Sequence, residues 1–239
     1  MITCESCDKF EILQVTGYEN GRVEITDLKN SNDILLDSIQ SPTFFSHVGP
    51  VTSISFGSVD EIPYFISTGS DGKLILWNKL NGLWSQKILD KSKAPITCAS
   101  FSCDSSLIAY ADQNGKIKFI NTKKSFDIDE KVLETKIKGI HQVCFVNYQN
   151  DQCLAIINPD GQLQINKVKI EKDDITIEQF ITCQFSKSYV KGIAALNQYY
   201  IAGICFENIV RIFDLKMFSI SEIKLEISPL ETTNDDNIY

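Results

Sequence analysis

Arginine is scarce in this sequence of 239 residues, where the 23 basic residues include only two arginines, Arg22 and Arg211. Acidic residues number 31, so the formal net charge is −8 at pH 7. A protein that binds nucleic acid usually presents a basic, arginine-bearing face to the phosphates. The composition therefore argues against direct binding of nucleic acid.

Long apolar runs are missing as well. No stretch approaches the roughly 18 uninterrupted apolar residues of a membrane-spanning helix, and residues 1–8 lack the basic and apolar regions of a signal peptide. Without such a signal, eight cysteines in a chain of this length indicate free thiols in a reducing compartment. The sequence thus predicts an intracellular protein of the cytoplasm or nucleus, with no membrane insertion.

Motifs of catalysis and metal binding are also lacking. No phosphate loop, nucleophile elbow or zinc-protease motif occurs, and His141, one of only two histidines, stands at the start of a predicted strand. Cys4 with Cys7 and Cys98 with Cys103 do not give the two tight pairs of a structural zinc site. We therefore expect no enzyme, no cofactor and no metal.

What the chain does contain is an internal repeat. A turn recurs every 43 to 51 residues, with anchors at Gly21, Gly72, Gly115, Gly161 and Asn208. Asn-Gly and Asp-Gly turns supply the positive φ that a tight hairpin requires. An apolar run precedes each turn, and alternating apolar residues, typical of a half-buried strand, follow it. The fourth strands are looser, and we expect them at Asp33–Leu36, Trp84–Leu89, Val132–Ile137, Ile175–Ile181 and Ile220–Ile227.

Five units of four strands predict an all-β fold, a β-propeller with five recognisable blades in an open or incomplete ring. We assign residues 1–228 to the propeller and 229–239 to an acidic, flexible C-terminal tail. The repeated turns should all lie on one face, each joining the second strand of a blade to the third.

The second unit resembles the WD-repeat family. Its matching residues are Ser46-His47, then Ser67-Thr68-Gly69-Ser70-Asp71-Gly72, then Leu74-Ile75-Leu76-Trp77-Asn78. In that family a loop His, a Ser or Thr, the turn Asp and the Trp form a buried hydrogen-bonded set. The resemblance implies a structural set of His47, Ser67 or Thr68, Asp71 and Trp77. The other units lack the loop His and the Trp.

Closure of the ring departs from the family pattern. Propellers of this family usually have seven blades and use an N-terminal strand as the outer strand of the last blade, whereas here nothing is left to make that latch. The ring has five blades without a latch, or the chain lacks N-terminal blades, or a partner supplies strands to the gap. Tyr18 and Phe206 stand beside turns in the first and last units. They are candidate partner contacts at the gap between the first and last blades, or they fold over a neighbouring blade.

The function implied by the resemblance is a non-catalytic scaffold or adaptor that binds other protein subunits in an intracellular complex. A propeller-type hydrolase is an alternative, and it would need a Ser and an acid beside His141. A nucleic-acid-associated propeller subunit is a second alternative, and it would need a lysine-lined face.

Overall fold

Five four-stranded antiparallel sheets form the fold in the computed structural model, which describes residues 1–8, 12–28, 43–59, 62–80, 83–124, 127–134, 137, 139–171 and 174–225. Within each sheet the strands lie side by side in chain order. The first strand of each sheet packs beside the first strand of the next sheet, so these are the inner strands. The predicted five-bladed propeller is confirmed.

The first three blades occupy the N-terminal half of the chain. Blade 1 contains β1 (Ile2–Cys7), β2 (Leu13–Tyr18), β3 (Arg22–Asp27) and β4 (Thr43–Phe45). Blade 2 contains β5 (Val51–Val59), β6 (Ile62–Gly69), β7 (Lys73–Leu80) and β8 (Leu83–Lys91). Blade 3 contains β9 (Ile96–Phe101), β10 (Leu107–Asp112), β11 (Lys116–Asn121) and β12 (Asp127–Glu134).

The last two blades occupy the C-terminal half of the chain, and the two outermost strands of blade 4 have 10 and 11 residues. Blade 4 contains β13 (Gln142–Tyr148), β14 (Asp151–Ile157), β15 (Gln162–Glu171) and β16 (Asp174–Gln184). Blade 5 contains β17 (Val190–Ala195), β18 (Tyr200–Cys205), β19 (Ile209–Asp214) and β20 (Ser219–Lys224). Single 3-10 turns occupy Thr122–Lys124 and Phe206–Asn208.

The repeated turns have the backbone conformation that their residue types suggest. The four glycine anchors have φ between 76° and 84°, and Asn208 has a φ of 59°. Each anchor lies between the second and third strands of its blade. Because the blades share one strand order, all five turns lie at the same face of the propeller.

Hydrophobic packing joins each blade to the next. In the described part of the chain, four apolar clusters bridge blades 1 and 2, 2 and 3, 3 and 4, and 4 and 5. In the first of them Val15 and Val23 of blade 1 meet Phe65 and Trp77 of blade 2, whose rings stack 5.3 Å apart. Full burial of one such side chain contributes about 1.5–3 kcal/mol, so these joints stabilise the arrangement of blades.

Side-chain hydroxyls of β5 strengthen the joint between blades 2 and 3. Thr52 donates its hydroxyl to the carbonyl of Ile96 at 2.8 Å. Ser53 both donates to the carbonyl of Ala99 and accepts from its N–H, while Ser55 accepts from the N–H of Phe101. The inner strands of these two blades are therefore linked by directional bonds as well as by apolar contact.

Three of the sequence-based boundaries need comment. The outer strand of blade 3, expected at Val132–Ile137, is Asp127–Glu134, because it pairs with β11 from Asp127 onward. The outer strand of blade 1 that the structure describes is Thr43–Phe45. The expected strand Asp33–Leu36 and the predicted tail 229–239 lie outside the described residues. The expected outer strand Ile220–Ile227 is Ser219–Lys224 as far as it is described. Thr43–Phe45 escaped prediction because it is short and borders a long connection without apolar alternation.

Candidate functional site

The polar residues that the sequence grouped in blade 2 form a chain of hydrogen bonds. His47 Nδ1 lies 3.0 Å from Asp71 Oδ1, and His47 Nε2 lies 2.8 Å from the Ser67 hydroxyl. The indole N–H of Trp77 donates to the same hydroxyl at 2.9 Å. A carboxylate can only accept, so Nδ1 carries the hydrogen, Nε2 accepts from Ser67, and Ser67 accepts from Trp77.

Electrostatics in this set favour a neutral imidazole. Burial lowers the pKa of His47 below its usual value, although the neighbouring Asp71 acts in the opposite direction. Burial alone would raise the pKa of Asp71, but bonds from the Val48 N–H, the His47 ring and the Lys73 N–H outweigh it and lower that pKa. The set is thus a neutral ring held by an ionised carboxylate, which suits a structural role better than proton transfer.

The alternation of side chains along β6 determines whether Ser67 or Thr68 belongs to the hydrogen-bonded set. Ser67 faces His47, whereas Thr68 points to the other side of β6 and bonds to the hydroxyl of Thr52 at 2.8 Å. Gly69 makes the close approach of His47 feasible, because a Cβ at this position would clash with His47 Nδ1. The structure therefore brings together His47, Ser67, Asp71 and Trp77 and leaves Thr68 outside the set.

His141, the residue on which the hydrolase alternative depends, lies at the joint between blades 4 and 5. Its Nε2 is 2.7 Å from the carbonyl of Lys191, and its ring lies 6.1 Å from that of Tyr189. Among the described residues its ring makes no hydrogen bond to a serine or an acid. The arrangement is that of an inter-blade contact.

The enclosed thiols, such as those of Cys4 and Cys98, are poor nucleophiles. All eight cysteines are free, and burial raises the pKa of Cys4 to about 11 and that of Cys98 to about 12. No group of three His, Cys, Asp or Glu side chains in the described ranges is arranged to hold a metal ion. Nor does any described helix have the length and apolar character to cross a membrane.

The outward side of blade 1 carries a polar group of residues beside the exposed Phe45, which pairs with Arg22. Cross-strand pairing places Glu5, Thr16, Tyr18, Arg22 and Glu24 together on this side, and we call them the polar face of blade 1. Glu24 accepts from the Tyr18 hydroxyl at 2.6 Å and from the Arg22 guanidinium at 2.9 Å, while that guanidinium lies over the Tyr18 ring. Arg22 Nε is a buried donor without a partner among the described residues.

The outward side of blade 5 is apolar. Pairing of β17 to β20 puts six aliphatic residues on the side away from blade 4, which we call the apolar face of blade 5: Ala194, Ala202, Ile204, Val210, Ile212 and Ile223. Ile204 is 54% exposed and Ile223 is 49% exposed. In blades 1 to 4 the aliphatic side chains facing the next blade are buried. Here the same kind of surface is open.

These two faces border a seam, defined as the space between blade 5 and blade 1. The close packing of successive inner strands is absent between β1 and β17, and no apolar cluster of described residues spans the two blades. Tyr18 lies on the blade 1 side of the seam, where Glu24 and Arg22 hold its ring. Phe206, in the turn of blade 5, is 57% exposed.

Sequence reasoning missed the apolar face of blade 5, although a signal was present. In β18 and β19 apolar residues occupy both sides of the strand, as in Ile201-Ala202 and Ile212-Phe213. That pattern is typical of strands covered on both faces. In blade 1, by contrast, polar residues such as Gln14 and Thr16 alternate with apolar ones.

Comparison with known families gives two matches to WD domain, G-beta repeat, over residues 39–78 and 84–121. The first match contains the whole hydrogen-bonded set of blade 2, and the second runs from β8 through β11. Together they cover about a third of the chain. No curated protein matches the sequence.

Proposed function

Because the chain is a WD-repeat β-propeller, we propose that it is a non-catalytic scaffold that binds other protein subunits, and that it binds a partner at the seam. WD-repeat propellers generally bind other proteins and are generally non-catalytic. The observation that carries the more specific proposal is the exposed apolar face of blade 5. It has the residue types of a blade-to-blade joint and no blade packed against it in the described part of the chain.

The two sides of the seam define what would fit there. Ile204 and Ile223 offer apolar area to one side of an incoming segment, and burying such surface drives most protein association. On the opposite side, the Tyr18 hydroxyl, the Arg22 guanidinium and the Glu24 carboxylate form a polar, hydrogen-bonded surface. A partner segment that adds β-strands, with one apolar and one polar side, would satisfy both surfaces.

The two alternatives have less support. A hydrolase would need groups beside His141 that the described residues do not place there. For nucleic-acid binding, a basic face should meet the phosphates, yet the net charge is −8, and three of the lysines, Lys73, Lys118 and Lys167, lie within 3.2 Å of a carboxylate oxygen. We further propose an intracellular location, which the eight free thiols support.

Co-purification from native cells tests the proposal. Ile204→Ser with Ile223→Ser should abolish capture of a partner that the unaltered protein retains, and Tyr18→Ala with Phe206→Ala should weaken capture about tenfold. The matched control is Leu83→Ser with Ile88→Ser, which alters two exposed apolar residues of β8 far from the seam. Equal loss in control and seam variants, or full retention by the seam variants with folding intact, would remove the seam as the binding site.

A further inference from the structure

A cavity of about 700 Å³ opens on the face opposite the five repeated turns. It lies among the ends of β1, β5 and β9, so blades 1, 2 and 3 all contribute to it. Serine hydroxyls and two phenylalanine rings, Phe56 and Phe101, line it together with the thiols of Cys7 and Cys103. A volume of this size suits a small ligand or a few side chains of a peptide.

Among the described residues that line this cavity, Asp8 alone carries a carboxylate, and its relative exposure is 8%. Its Oδ1 accepts from the N–H of Ile12 at 2.7 Å and from the N–H of Leu13 at 2.9 Å. Its Oδ2 has no hydrogen-bond or ion-pair partner among the described residues. Oδ2 is therefore the oxygen that remains available to a ligand in the cavity, and a carboxylate oxygen bonds most strongly to a cationic donor.

The fold itself does not need the charge. In blade 3, Ser102 holds the corresponding place: its N–H donates to Leu107 O and its hydroxyl accepts from Leu107 N–H, at 2.8 and 2.9 Å. Asp8 makes the same pair of bonds with Leu13, at 3.0 and 2.9 Å. Since a serine makes the same two bonds in blade 3, the loop of blade 1 does not require a carboxylate.

We propose that this cavity binds a lysine side chain of a partner peptide, with Asp8 as its counter-charge. Both lone pairs of Oδ1 are used by Ile12 and Leu13, so the carboxylate cannot take the two parallel bonds of a guanidinium fork. An ammonium is a point charge with three donors. It bonds to Oδ2 and to nearby hydroxyls such as those of Ser6 and Ser58, while its alkyl stem lies along the phenylalanine rings.

The two exposed thiols provide a reporter for the experiment, because Cys7 and Cys103 line the cavity. A neutral thiol reagent is reacted with the full chain, and labelling at each cysteine is followed by peptide mass spectrometry. The probe is the blocked pentapeptide acetyl-Gly-Ala-Lys-Ala-Gly-amide at about 1 mM. We expect it to slow labelling of both thiols about threefold or more, and the same peptide with acetyl-lysine to have no effect.

The variant Asp8→Ser copies the residue of blade 3, so the loop bond is kept while the charge is lost. Protection by the lysine peptide should disappear in Asp8→Ser and in Asp8→Asn, and should persist in Asp160→Ser, which removes the same charge from an exposed turn on the other face. Absence of protection in the unaltered protein overturns the proposal. So does protection that survives both Asp8 variants, or an equal effect of the acetyl-lysine peptide.

Discussion

At the scale of single residues, Asp71 ties two loops of blade 2 together. Its carboxylate accepts from the Val48 N–H in the loop before β5 and from the Lys73 N–H after the turn, in addition to His47. Removing it leaves three donors without an acceptor, so Asp71→Ala should lower the free energy of unfolding by about 1–3 kcal/mol. Asn114→Ala, in the exposed turn of blade 3, should cost less. Chemical denaturation measures both, and equal losses would contradict a set confined to blade 2.

The same set predicts a dependence of stability on pH. Burial lowers the pKa of His47 below the 6.5 of an unfolded chain. As pH falls below 6.5, the unfolded chain binds a proton at this residue that the folded chain does not, so the free energy of unfolding decreases. The Asp71 contribution is lost only at lower pH, below its unfolded value of 3.8.

Urea denaturation at pH 7 and pH 5.5 measures this effect. The unaltered protein should lose more stability over that interval than His47→Gln, in which the titrating group is gone. If both proteins lose the same amount, the buried histidine is not the source of the pH dependence.

At the scale of turns and strands, Asn208 shows how local chemistry fixes a hairpin. Its φ of 59° lies in the left-handed region that glycine occupies in the other four turns. Asn208→Gly should therefore leave stability nearly unchanged, whereas Asn208→Val should lower it by about 1–2 kcal/mol. Asn114→Val is the matched control, because Asn114 has no positive φ. Thermal unfolding of the three variants checks this, and a similar loss in Asn208→Val and Asn114→Val would contradict it.

The sequence predicted turns more accurately than outer strands, for physical reasons. Turns such as that at Gly72 depend on a positive φ that few residues tolerate, so they leave a local signature. The outer strand Thr43–Phe45 is three residues long, with Thr43 and Phe45 exposed, and is fixed by pairing with β3. The role of the Asp8 carboxylate could not be predicted from the sequence either, because the cavity that it lines is formed by residues of three different blades.

At the scale of the whole molecule, burial falls from the middle of the arc towards both ends. Among the second strands, all six residues of β10 in blade 3 are buried, whereas three of six are buried in β2 of blade 1 and in β18 of blade 5. Local opening takes least free energy where few apolar contacts must break. Hydrogen–deuterium exchange should therefore be slowest in β10 and β14 and fastest in β1 and β20. Equal protection of β1, β17 and the central inner strands would indicate that the first and last blades pack together.

The hydroxyl links of β5 also determine how the arc would respond to a mechanical load. Dispersion contacts permit two sheets to slide past each other, while directional bonds such as those of Ser53 and Ser55 to β9 resist shear. Between the inner strands β1 and β5, the described side chains make a single weak contact, from the Cys4 thiol to the Val51 carbonyl at 3.8 Å. The joint between blades 3 and 4 likewise has a thiol contact, from Cys103 to the Phe145 carbonyl at 3.9 Å. Under a pull on its ends, the propeller would therefore yield first by slippage at one of these two joints, with blades 2 and 3 moving as one rigid plate.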